Sequence, residues 1–132
     1  MATQARTIYV VDDDQLQREA IGLVVSTTGW NVKTFASAEE CLPALGKERV
    51  DAMVCDLYMP GMNGADFLEV IMARGLDIPA VVITGVASDS PLARRALDAG
   101  ARVVLVKTCR PEELVRAVER ALAANPRARS HI

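Results

Sequence analysis

The sequence predicts an α/β domain built on a five-stranded parallel sheet with helices on both faces. Three observations predict it. Short apolar runs alternate with stretches of helical periodicity five times along the chain. Most of the runs are apolar at every position, the mark of strands buried on both faces. The runs also end in polar residues, at Asp12, Asp56, Thr84 and Lys107. Right-handed crossovers place the C-terminal ends of parallel strands along one edge, so these residues are expected to meet there.

The first strand is read at Thr7–Val11, β-branched and apolar throughout. Asp14 then caps a helix from Gln15 toward Gly29, with Leu16, Ala20, Leu23, Val24 and Thr27 as its expected buried face. Residues 31–35 (Asn-Val-Lys-Thr-Phe) alternate polar and apolar, which suits an edge strand with one face wet. Ser37 and Glu40 form a capping-box pair, and Cys41, Leu42 and Leu45 supply an apolar stripe. Pro43 removes an amide donor from that helix, which should therefore be short or bent.

The third strand runs from Val50 to Asp56 and opens into the Pro60–Gly61 loop. Asn63 to Asp66 lead into a helix through Phe67–Met72 that stops near Gly75. Ile78 to Gly85 form the fourth strand, with Pro79 near its start, where a missing amide hydrogen matters least. Ser90 caps the next helix, with Pro91 at its first position, and the helix runs toward Gly100. Arg102 to Val106 form the last strand. Pro111, Glu112 and Glu113 open a final helix that buries Leu114, Val118, Ala121 and Leu122.

The chain has 132 residues, enough for one domain with a substantial core, read as residues 1–124 followed by a flexible basic tail at 125–132. A formal charge of −2 provides no electrostatic drive toward nucleic acid or an anionic membrane. No apolar run is long enough to span a bilayer, and the charges from Arg6 to Asp14 interrupt a signal-peptide reading. Cys41, Cys55 and Cys109 lack metal-ligand spacing and are read as free thiols in a reduced cytoplasmic protein, chiefly core residues.

Several carboxylates at one point repel and require protons or a cation. Asp12, Asp13 and Asp56 offer hard oxygens without histidine or thiolate, a set that favours Mg²⁺. A carboxylate beside a divalent cation and a lysine suits receipt of a phosphoryl group, with Asp56 as nucleophile, Lys107 as counter-charge and Thr84 as hydroxyl donor.

The ordered set Val11-Asp12-Asp13-Asp14, Asp56 to Gly64, Ile83-Thr84-Gly85 and Ala99-Gly100-Ala101 before Lys107 resembles the CheY-like receiver domain of two-component response regulators. The likeness covers residues 7–124, and the Ile-Thr-Gly triplet with Leu97 to Ala101 looks most like receivers of the FixJ type. It implies a flavodoxin-like sheet of order 2-1-3-4-5, and a phosphorelay in which Asp56 accepts phosphate from a sensor histidine kinase or phosphotransfer protein. Asp12, Asp13, Asp56 and the Tyr58 backbone carbonyl would hold Mg²⁺. Thr84 and Lys107 would bind phosphoryl oxygens. The implied outcome is a conformational switch controlling an output domain or protein, with only self-catalysed transfer and slow autodephosphorylation as chemistry.

The pattern departs from the family twice. Thr108 stands where a proline usually follows the lysine, so the Lys107–Thr108 bond is expected to be trans. Val104 stands where the family has its switch aromatic, so the usual hydroxyl–aromatic coupling is lost. The chain is read as a stand-alone receiver or as one domain of a longer protein. Arg94, Arg95, Arg116 and Arg120 mark the face on which such domains dimerise or dock.

Three other readings compete with this one. A phosphorylation-independent receiver would act only through protein contacts; the complete acidic and acceptor sets argue against it, while Thr108 and Val104 keep it open. A Mg²⁺-dependent phosphohydrolase usually has a second acid two residues past its nucleophile, where this chain has Tyr58. A flavodoxin-like cofactor binder needs a phosphate-cradling loop after the first strand, where Asp12-Asp13-Asp14 would repel phosphate.

Overall fold

The computed structural model describes residues 5–85 and 89–124, so the predicted basic tail at 125–132 lies outside the described residues. Strands β1 (Thr7–Val11), β2 (Asn31–Phe35), β3 (Ala52–Asp56), β4 (Ala80–Thr84) and β5 (Ala101–Val106) are all parallel, in the order β2-β1-β3-β4-β5. They alternate with helices α1 (Gln15–Ser26), α2 (Ala38–Cys41), α3 (Gly64–Ala73), α4 (Pro91–Asp98) and α5 (Pro111–Ala124). The order reverses direction between β1 and β3, so the loops that leave these strands diverge and open a crevice.

The period-two alternation of side chains divides the core in two. Tyr9, Val11, Met53, Cys55, Ala80 and Val82 face one side, where they meet buried residues of α2, α3 and α4. Ile8, Val10, Ala52, Val54, Val81 and Ile83 face the other, against α1 and α5. With both faces covered, β1, β3 and β4 are buried almost throughout, while the flanking β2 is largely solvated.

The predicted caps form. Asp14 accepts from the Gln17 amide, Ser37 from Glu40 and Ser90 from Ala93, and Asn63, not predicted as a cap, accepts from the Asp66 amide. Helix α2 is only four residues long and passes at Leu42 into a single 3-10 turn containing Pro43. β4 is shorter than predicted. Pro79 precedes it and contributes only its carbonyl, which accepts from the Met53 amide at 3.0 Å.

The predicted buried face of α1 is wrong. Leu16 and Leu23 are 79% and 69% exposed, Ala20 and Thr27 are exposed, Val24 is half-buried, and Ile21 and Val25 go into the core instead. The apolar residues of this helix span more than half its circumference, wider than the strip the sheet covers, so composition alone cannot choose which part is buried. The rotation is set by contacts distant in sequence. Arg18 donates through Nη1 to the Asp12 carbonyl at 2.8 Å, and Gly22 lies against Thr34 of β2, which turns positions 18, 21 and 25 toward the sheet.

Candidate functional site

Every predicted site residue lies at the C-terminal edge of the sheet. Asp12 follows β1, Asp56 ends β3, Thr84 ends β4 and Lys107 follows β5. The ladder continues beyond the named strands and holds these ends side by side. The Leu57 amide donates to the Ile83 carbonyl, and the Lys107 amide to the Thr84 carbonyl, both at 2.8 Å. No cis peptide bond occurs among the described residues, in keeping with the expected trans Lys107–Thr108 bond.

Carboxylate oxygens of Asp12, Asp13 and Asp56 lie within 4.8 Å of one another. Asp13 is exposed, but Asp12 and Asp56 retain only 1% and 3% of their accessible surface. Lys107 Nζ donates to Asp56 Oδ2 at 3.3 Å. Asp12 Oδ1 accepts from the Asp14 amide at 2.9 Å. The other oxygen of each buried acid, Asp12 Oδ2 and Asp56 Oδ1, has no hydrogen-bond partner among the described residues. Thr84 is fully buried, one residue beyond the rung that pairs Asp56 with Ile83. Tyr58, two residues past Asp56, is 47% exposed.

Electrostatics follow from this crowding. Burial, reinforced by the neighbouring Asp12 carboxylate, pushes the Asp56 carboxyl up to about 6, against the opposing pull of Lys107 and the Tyr58 amide. Burial raises Asp12 as well, partly offset by the Asp14 amide and Lys107. One lysine therefore does not neutralise the cluster. Two buried carboxylates, each with one unpartnered oxygen, converge with an exposed third, a donor set that fits a hard divalent cation that keeps several of its waters. The donor set contains no soft ligand, since Cys55 points its thiol at the Asp56 carbonyl and burial raises its pKa strongly.

Two residues that sequence reasoning did not single out hold the loops bearing this cluster. Arg18 secures the Asp12 carbonyl, and Glu39 Oε2 accepts from the Met62 amide at 3.0 Å in the loop after Asp56. Val104 is half-buried and packs against the core beneath α3 and α4. The described thiols are free, with Cys41 and Cys55 buried as expected and Cys109 half-buried. Among the described residues no helix is long and apolar enough to cross a membrane.

The family model "Response regulator receiver domain" matches residues 8–119. The response regulator protein TodT of Pseudomonas putida is 34% identical over 131 residues, covering 99% of this chain and 57% of TodT. The transcriptional regulatory protein FixJ of Rhizobium meliloti is 34% identical over 115 residues, covering 87% of this chain and 56% of FixJ. The crystal structure of FixJ-N superposes with a TM-score of 0.85 at 33% identity, over 92% of this chain and 97% of that one. The chain thus spans little more than half the length of these curated relatives.

Proposed function

This chain belongs to the response regulator receiver domain family, whose function is phosphorylation-dependent switching, and on that premise we propose that Asp56 is its phosphoacceptor. The observation that carries the reading is the buried Asp56 carboxylate, bonded to Lys107 through one oxygen and unpartnered at the other, beside two further acids.

Asp12, Asp13 and Asp56, with the Tyr58 carbonyl, would hold Mg²⁺, which receiver domains bind at their acidic pocket. When bound, the ion offsets the charge of the carboxylates and of the incoming phosphoryl group. An Asp56 oxygen attacks phosphorus, the P–N bond of a phosphohistidine breaks, and its electron pair stays on the departing imidazole nitrogen. The product is an aspartyl phosphate. Lys107 pairs with one phosphoryl oxygen and the Thr84 hydroxyl donates to another. The same pocket would support slow autodephosphorylation.

The donor would be a sensor histidine kinase or a phosphotransfer protein. Support comes from α1, which begins just past the acidic loop and exposes Leu16 and Leu23 to any protein approaching this edge. Free thiols accord with a cytoplasmic setting. The readout would pass to an output domain or protein, through the face bearing Arg94, Arg116 and Arg120, which would also serve a homodimer. Arg95 is less available there, because it already bridges to Asp66 and Glu69 of α3 at 2.8 Å each. Val104, too small to swing as an aromatic ring does, supports a second reading in which the domain signals by contacts alone. Phosphorylation by a small phosphodonor, compared between wild type and Asp56→Ala, separates the two.

A further inference from the structure

The loop from Leu57 to Asn63 carries the backbone next to Asp56, and its geometry is tight. It is tied at its start by the Leu57 amide to Ile83 and closed at its end by the Gly64 amide to the Leu57 carbonyl, both at 2.8 Å. Between these ties the chain passes under α2, where Glu39 Oε2 accepts from the Met62 amide at 3.0 Å across 23 residues of sequence. Gly61 has φ +73°, and a Cβ there would stand 2.6 Å from the same Glu39 oxygen. The carboxylate therefore occupies the space that any side chain at position 61 would need. The bond is exposed to solvent, so its contribution is modest.

We infer that Glu39 is a positioning residue for the metal pocket, clasping this loop near its far end so that the Tyr58 carbonyl stays presented beside Asp56. The inference rests on the proposed Mg²⁺-dependent phosphoacceptor reading. Glu39 touches neither the cation nor the phosphoryl group. Its effect passes along the backbone from Met62 to Tyr58, a path that includes the buried Met59. Gln at position 39 retains an acceptor oxygen of the same reach, whereas Ala retains none.

The test compares wild type, E39A and E39Q by hydrogen exchange at the Met62 amide and by calorimetric titration with Mg²⁺, with circular dichroism verifying the fold. Loss of one modest hydrogen bond predicts about three- to tenfold faster Met62 exchange in E39A and Mg²⁺ affinity weaker by a similar factor, with E39Q close to wild type. Wild-type behaviour of folded E39A in either measurement overturns the inference, as does E39Q as impaired as E39A. Mg²⁺ that binds wild type no more tightly than an Asp13→Asn chain overturns the underlying reading instead.

Discussion

Lys107 Nζ sits 3.3 Å from Asp56 Oδ2, although 51 residues separate the two in sequence. The contact exists because β3 and β5 flank β4, and the ladder runs past all three strand ends. Asp56 is almost wholly buried, so this lysine is the counter-charge closest to a carboxylate that water reaches poorly. Replacing Lys107 with Ala is expected to slow phosphorylation from a small donor by about 100–1,000-fold, the range for removing one preorganised donor from a developing anion. Single-exponential labelling rates at saturating Mg²⁺ check this. An unchanged rate would mean that Thr108 has re-aimed the lysine away from the reaction.

The raised Asp56 pKa makes stability depend on pH in a defined direction. The folded carboxyl titrates near 6 and its ordinary value is 3.8, so in the metal-free protein the folded state holds the proton more tightly. The unfolded state binds fewer protons between these values, and this group's contribution to stability is therefore lost as pH rises from about 4 to about 6. Asp56→Asn removes the penalty. In chelator-treated samples its stability gain over wild type should be near zero at pH 4 and about 1–3 kcal/mol at pH 7. Urea denaturation across that range measures the gap, and one that does not grow with pH contradicts the assigned cause.

Gly64 lies against the acceptor strand for a steric reason. A Cβ there would stand 2.6 Å from the Asp56 carbonyl oxygen and 3.0 Å from Leu57 Cα, both backbone atoms that cannot step aside. Gly64→Ala should cost about 1–3 kcal/mol of stability through overpacking and should also reduce labelling of Asp56. Thermal unfolding paired with intact-mass labelling reads both effects.

Helix α1 provides a contrast within a single element. Leu16 is exposed and Ile21 is buried, so Leu16→Ala should change stability by less than about 0.5 kcal/mol. Ile21→Ala should cost about 2–4 kcal/mol. Equal losses from the two variants would show that the helix is rotated from the orientation described.

The same helix shows where sequence reading stops. The strands and their polar ends were legible because β-branched runs and capping residues act locally, and the acidic cluster followed from parallel topology. The orientation of α1 was not, because Leu16, Leu23, Ile21 and Val25 belong to an apolar arc wider than the strip the sheet buries, and Arg18 chooses within it only by reaching Asp12. Glu39 was equally hidden. Its partner is the Met62 amide, a backbone group that carries no residue-type signal and becomes a neighbour only when α2 packs over the loop after β3. Thr108 and Val104 were legible as departures, since each leaves an expected residue type missing from a recognisable pattern.

The central claim is that Asp56 accepts a phosphoryl group in a Mg²⁺-dependent reaction. Incubation with acetyl phosphate, with Mg²⁺ or with chelator, followed by intact mass, tests it most directly. One phosphoryl adduct that requires Mg²⁺ and disappears in Asp56→Ala is the predicted result. No adduct on wild type, under conditions that label an established receiver domain, would contradict the account and leave a domain that signals through its contacts alone.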